Sequence, residues 1–203
     1  MSTLLVLGAG GHGRVVADAA MRAGVWRELS ATDRDAARCS GELLPGVRLG
    51  ADASALSLAT AVHIAIGNAQ ARESEARAIG AERLATVIHP DSTLSRFAQV
   101  GAGSFLAARS VVAPRATLGI CVIVNHGAVV DHDVRVGDFC HIAPGATLGG
   151  GVHVGRRVLI GAGASVLPGV RICDDAVIGA GSVVAADISE SGVYAGAPAR
   201  SLR

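Results

Sequence analysis

Across residues 88–184 every sixth position is Val, Ile or Leu, with nothing inserted or deleted. The run passes through Ile88, Leu94, Val100, Leu106, Val112 and Val130, and ends at Ile172, Ile178 and Val184. Four residues after each landmark stands a compact side chain, as at Ala98, Ser104, Ala128, Cys140, Ala146 and Ala164. A period of six fits neither the 3.6 of a helix nor the 2 of an alternating strand, and a fixed internal period marks a solenoid. Each hexapeptide supplies one short strand and one corner, so three of them close a triangular turn of eighteen residues. The large and the small residue of each hexapeptide point into a narrow prism, and the others point out. Gly often follows the landmark directly (Gly101, Gly119, Gly137, Gly155). Its expected role there is backbone freedom at a corner. A β-sandwich with accidental periodicity would not sustain seventeen consecutive matches.

Composition agrees with a thin aliphatic prism. Half of the 203 residues are hydrophobic, yet the chain has only three Phe, one Tyr and one Trp, against 27 Gly. The net charge of +1 gives no reason to expect nucleic acid or an anionic membrane surface as partner. No apolar run reaches the roughly 20 residues of a membrane span. The apolar start of the chain carries no basic leader and reads as a first strand, not a signal peptide. Cys39, Cys121, Cys140 and Cys173 show no CxxC spacing. The expectation is a cytoplasmic protein without disulfides or a zinc-thiolate site.

Ahead of the solenoid lies an α/β pattern. A strand at residues 3–7 runs into Gly8-Ala9-Gly10-Gly11-His12-Gly13, followed by a helix with Val15, Val16, Ala19, Ala20 and Ala23 on one face and Gly24 as its stop. Gly8, Gly10 and Gly13 fit G-x-G-x-x-G, where glycines let the backbone approach a diphosphate and the helix start offers free N–H groups. Asp33 follows a second strand near residues 29–32 and suits a ribose or a base. A third strand at residues 62–66 meets the Gly67-Asn68 turn, and a helix covers residues 69–79. The α/β pattern ends by residue 86, about half of a full dinucleotide-binding sheet. That size favours a mononucleotide or sugar nucleotide over NAD. The expected domains are 1–86, nucleotide-sugar-binding, and 87–203, the solenoid with a C-terminal cap. Arg200 and Arg203 end that cap; they could meet a phosphate, but a solvated tail is slightly favoured.

Outward positions of a solenoid are bland unless used, and the stretch Asn125-His126-Gly127-Ala128-Val129-Val130-Asp131-His132-Asp133 is not bland. His132 falls two residues after an inward Val, so it points out at a corner between two acids. Neutral imidazole accepts a proton near pH 7, and a carboxylate on its other nitrogen fixes the tautomer and raises its basicity. Either Asp131 or Asp133 could hold the ring. A metal site is the rival use of His126, His132, His141 and His153. Their offsets of six and nine residues do not bring two imidazoles together in one chain, so a general base is favoured and no metal is expected.

Several features combine across nearly the whole chain. They are the Gly-Ala-Gly-Gly-His-Gly turn, Ala65-Ile66-Gly67-Asn68, Ile88-His89-Pro90, the Asp131-His132-Asp133 segment and the Gly-Ala-Pro-Ala-Arg tail. In these the sequence resembles the hexapeptide-repeat sugar-nucleotide acetyltransferases of the bacillosamine, perosamine and sialic acid types. The resemblance implies a Rossmann-like half domain followed by a left-handed parallel β-helix, a homotrimer, and acetyl-CoA lying along the solenoid between subunits. It implies His132 as general base with Asp133 orienting it, where relatives more often carry Glu. It places His141 near the thioester, the Gly150 N–H on the acetyl carbonyl, and Ala162 and Ala180 along the pantetheine arm. Gly10, Gly11 and His12 would cradle the diphosphate, with Asp33 and Gly67 at the nucleoside; Thr32 replaces a second acid common in relatives. The implied reaction is direct N-acetylation of a nucleotide-linked amino sugar. O-acetylation of a sugar hydroxyl, or a scaffold without turnover, stand as alternatives.

Overall fold

The computed structural model describes residues 3–50 and 59–202. The chain forms two compact units, Met1–Pro90 and Asp91–Arg203, meeting slightly later than the expected 86/87 boundary.

In the first unit, strand β1 (Thr3–Leu7) leads into helix α1 (Gly11–Ala23), then come β2 (Glu28–Thr32), β3 (Glu42–Leu44), β4 (Val47–Leu49), β5 (Ala61–Ile64) and helix α2 (Ala69–Ile79). The sheet order is β3-β4-β2-β1-β5. β1 is parallel to both β2 and β5, and β3 pairs antiparallel with β4. The β3–β4 hairpin is not apparent in the periodicity: its strands are three residues each and turn at Pro45-Gly46, with Gly46 at φ 84°. The buried face of α1 is Gly13, Val16, Ala17, Ala19 and Ala20. Val15 and Ala23, expected inside, are only half-buried. The helix has turned so that Gly13 faces β1. It can do so because a Cβ on Gly13 would come 1.9 Å from the Gly8 carbonyl oxygen, an approach only glycine permits. Gly24 takes the left-handed conformation (φ 65°) and ends α1, as expected.

The second unit is a three-sided parallel solenoid. Every regular strand is two residues long and pairs with the strand eighteen residues on, for example Ile123↔His141↔Leu159, Val111↔Val129↔Thr147 and Thr117↔Arg135↔His153. Landmarks from Leu106 to Val184 are buried, as are the small positions Ser104, Ser110, Ala116, Ala128, Ala146 and Ala164. The first landmarks depart: Ile88 and Val100 are half-buried and Leu94 is 36% exposed. Polar inward residues are satisfied locally. Ser104 Oγ donates to the Gly119 carbonyl and accepts the Val122 N–H, both at 3.0 Å, and the Cys140 thiol fills the same role on the Gly155 carbonyl at 2.9 Å.

The corner glycines work differently from the expectation. From Gly103 to Gly181 every sixth residue has φ between 51° and 76°, and this series contains seven glycines and seven other residues, Asp133 among them. The glycines directly after the landmarks do not have positive φ. They are required by close approach: a Cβ on Gly101 would lie 2.3 Å from the Gly119 oxygen, and one on Gly137 would lie 2.6 Å from the Gly155 oxygen. Backbone freedom is thus needed two residues later than expected, while the glycine itself clears space for the next coil. Beyond the coils, the tail adds a strand (Val193–Gly196) parallel to Val177–Ile178 and turns back through Ala199–Ser201. Arg203 lies outside the described residues.

Candidate active site

At the carboxyl edge of the first sheet, the ends of β1, β2 and β5 bring Gly10, Gly11, Asp33 and Gly67 to one side. Gly10 caps α1, and no heavy atom lies within 4 Å of a Cβ built on Gly11; Gly10 has only the Arg38 guanidinium, at 3.8 Å. Packing within the chain therefore does not explain two glycines here. They leave an open cradle at a helix start, the arrangement that suits a phosphate. His12 is half-buried in the first turn of α1. Asp33 Oδ2 accepts the Ala9 N–H at 2.7 Å and Oδ1 accepts the Asp35 N–H at 2.9 Å, so the acid also ties the Gly-rich turn to the end of β2. Partial burial pushes the Asp33 carboxyl up, but these N–H groups and the nearby Arg38 charge outweigh it and bring it below its ordinary value. Thr32 is buried and donates to the Gly50 carbonyl at 2.7 Å. The buried guanidinium of Arg72 holds the Gly67 turn, donating to the carbonyls of Ile66 (2.7 Å) and Gly67 (2.9 Å).

In the solenoid, His132 and Asp133 occupy one corner. The left-handed backbone at Asp133 (φ 60°), a conformation Asp tolerates better than most residues, turns its carboxylate back toward the preceding ring. Asp133 Oδ2 lies 2.9 Å from His132 Nδ1, and Asp131 Oδ1 instead accepts the His132 backbone N–H at 2.6 Å. Of the two flanking acids, Asp133 holds the ring. With a proton on Nδ1 shared with Asp133, Nε2 is left as the acceptor. The hydrogen bond to Asp133, then the charge of Asp131, raise the His132 pKa above the ordinary histidine value. Asp133 is lowered, first by that hydrogen bond and next by the positive charge of Arg115.

Eighteen residues on, Gly150 sits against the same imidazole, where a Cβ would fall 2.6 Å from both Cε1 and Nε2. The Gly150 carbonyl accepts from Gly169 at 2.9 Å, and among the described residues its N–H has no acceptor. The imidazole and an N–H without an acceptor therefore lie one coil apart at the same corner. His141 is on another face, with Asn125 Nδ2 donating to its Nε2 at 3.1 Å. Asn125 was part of the unusual stretch in the sequence but had no role there; only its 16-residue offset to His141 hinted at one. Ala162 and Ala180 are exposed and stack at a different corner from His132, the Gly181 N–H donating to the Ala162 carbonyl at 2.8 Å. One chain thus brings together His132, Asp133 and Gly150 but not His141, Ala162 or Ala180. Among the described residues no group of three or more His, Cys, Asp or Glu is placed to hold a metal, and no helix is long and apolar enough to cross a membrane.

A hexapeptide solenoid carrying an acid-backed imidazole beside a free amide is an arrangement suited to general-base acyl transfer. Comparison with known proteins gives the finer assignment. Residues 3–79 match the family described as PglD N-terminal domain, and residues 151–186 match bacterial transferase hexapeptide (six repeats). Among solved structures, the acetyltransferase domain of PglB from Neisseria gonorrhoeae is 34% identical, with all of both chains covered and a TM-score of 0.93. Its complex with acetyl coenzyme A matches at 36% identity over 99% of each chain, with a TM-score of 0.91. PerB from Caulobacter crescentus, in complex with CoA and GDP-perosamine, is 33% identical over 100% of this chain and 98% of that one, with a TM-score of 0.90. A sequence search of curated proteins gives no match. The chain belongs to the nucleotide-sugar acetyltransferases that join a PglD-type Rossmann-like half domain to a left-handed parallel β-helix.

Proposed function

We propose that this protein is a cytoplasmic, homotrimeric acetyl-CoA-dependent N-acetyltransferase acting on the amino group of a nucleotide-linked amino sugar, of the UDP-4-amino-sugar or GDP-perosamine type, in glycan biosynthesis. The observation that carries the reading is the His132–Asp133 pair set against Gly150. It is supported by relatives that include an acetyltransferase crystallised with acetyl coenzyme A and a protein crystallised with CoA and GDP-perosamine.

Gly10, Gly11, His12, Asp33 and Gly67 bind the nucleotide and its diphosphate. The neutral sugar amine attacks the thioester carbonyl while His132 Nε2 takes its proton, with Asp133 stabilising the imidazolium that forms. The Gly150 N–H donates to the carbonyl oxygen as it gains charge. The C–N bond forms, the C–S bond breaks, and CoA leaves as the thiolate, which the imidazolium can reprotonate. No acyl-enzyme is involved. His141, Ala162 and Ala180 lie along acetyl-CoA. Because they stand away from the His132 corner in one chain, two copies must share each thioester, which is the support for a trimer. The strip between the two corners agrees with that packing: its outward residues are Val111, Val129, Thr147, Ser165 and Val183, none charged, whereas the next face carries Arg135, His153 and Arg171.

The test is release of CoA from acetyl-CoA with a panel of UDP- and GDP-linked amino sugars, with simple hydroxyl acceptors as the contrast. His132→Ala is expected to lose roughly 10²–10⁴ in kcat while keeping oligomeric state and nucleotide binding. A variant with near-normal turnover would remove His132 from the base role.

A further inference from the structure

We propose that Arg115 is a positioning residue for acyl transfer, engaging one oxygen of Asp133 so that the other is held on the His132 ring. The inference rests on the reading of His132 as the base. Arg115 Nε lies 2.9 Å from Asp133 Oδ1, while Asp133 Oδ2 lies 2.9 Å from His132 Nδ1. The two oxygens of one carboxylate are therefore divided between a permanent cation and the imidazole. The backbone enforces the meeting. Arg115 and Asp133 are both left-handed corner residues (φ 64° and 60°), one coil apart, and the Asp133 N–H reaches the carbonyl of Pro114 at 3.2 Å.

The same stack occurs elsewhere without a histidine, which separates a structural role from a positioning one. Arg157 and Asp175 are also left-handed corner residues one coil apart, and there the guanidinium takes both carboxylate oxygens, at 2.7 and 2.6 Å. There both carboxylate oxygens face the one guanidinium. At Asp133 the contact is through Nε alone, and the second oxygen goes to the ring. Stability does not account for the difference. The Arg115 and Asp133 side chains are 79% and 44% exposed, and an exposed pair contributes little to folding. Positioning does account for it, because an exposed, short carboxylate is otherwise free to rotate away from Nδ1 to water. Among the described residues, Asp131 acts on this ring through its negative charge and Arg115 on this carboxylate through its positive charge.

The experiment measures kcat and KM against pH for CoA release with the best amino-sugar nucleotide of the panel, in wild type and in Arg115→Ala, Arg115→Lys, Arg157→Ala and His132→Ala. Arg115→Ala is expected to lower the plateau kcat at alkaline pH by roughly three- to tenfold, a fraction of what a whole general base contributes. Both KM values should hold. Its acid limb should move to lower pH, because a carboxylate no longer held on Nδ1 ceases to supply the hydrogen bond that chiefly raises His132. Arg115→Lys should restore neither the limb nor the plateau in full, since an ammonium supplies charge without the planar Nε–H. Arg157→Ala should leave the profile unchanged. A plateau kcat for Arg115→Ala within twofold of wild type overturns the proposal, whether or not the limb moves. If His132→Ala keeps its rate, the base assignment fails first; if only Arg115→Ala is silent, the base stands and Arg115 is a structural corner residue.

Discussion

Gly150→Ala separates folding from chemistry at a single methyl group. A Cβ at Gly150 would stand 2.6 Å from Cε1 and Nε2 of His132 and 3.3 Å from Cδ2. Carbon atoms are in best contact at about 3.5–4.0 Å, so ring and methyl overlap by about 1 Å and one must leave. The methyl is fixed to the coil. The imidazole is the free end of a side chain 61% exposed, held by one hydrogen bond to an exposed acid. The ring is therefore the part that moves, and its bond to Asp133 goes with it. Folding should hardly notice, since Gly150 does not use a positive φ and Gly→Ala at a compatible site gains about 0.4–1 kcal/mol through the unfolded chain. The backbone N–H of residue 150 survives, so amide donation to the substrate is not what is lost. The expected result is an unchanged or slightly raised Tm with kcat lower by roughly 10²-fold or more. Gly137→Ala is the contrast: its Cβ would meet the Gly155 oxygen at 2.6 Å and carbon at 2.7 Å, which are backbone atoms and cannot swing aside. Overpacking of that kind costs about 1–3 kcal/mol, seen as a Tm several degrees lower. Thermal unfolding and CoA release on the two variants check both halves. A Gly150→Ala enzyme with normal kcat would refute the placement of the ring as the catalytic base.

Two further outcomes concern the first unit. His63 is fully buried on β5, its Nδ1–H donating to the Ala85 carbonyl at 2.8 Å; burial chiefly, with the Arg72 charge, pushes its pKa down to about 4 from 6.5. The unfolded chain therefore binds the extra proton first, and stability should fall as pH drops from about 6.5 toward 4, by about 3 kcal/mol in full. Urea midpoints at several pH values read this loss, which His63→Gln should flatten; an unchanged slope would contradict a neutral buried ring. Gly13→Ala should abolish nucleotide binding and destabilise the first unit, because its Cβ would lie 1.9 Å from the Gly8 carbonyl oxygen. Retained nucleotide-induced protection against thermal unfolding would show that α1 need not approach β1 so closely.

Much was settled by the order of residues alone. A strict period of six leaves one way to bury a large and a small side chain per step, so the solenoid, its eighteen-residue coil and its parallel pairing follow from the pattern. The Gly8–Gly13 turn likewise announces a strand and a helix, because Gly13 must pass close to the Gly8 carbonyl. The same coil length already placed Gly150 over His132 and Asp133 over Arg115, although the Arg115 stack is noticed only once both are seen as corner residues. Tertiary structure decided the rest. It chose Asp133 over Asp131, since both flank the histidine in sequence and only the left-handed backbone at residue 133 turns a carboxylate onto Nδ1. It placed the β3–β4 hairpin, whose strands are too short to show a period, and rotated α1 to bury Gly13. Repeats fix which residues stack, because backbone hydrogen bonds lock one coil onto the next. Which oxygen meets which nitrogen depends on backbone dihedrals and rotamers, and those belong to the assembled corner.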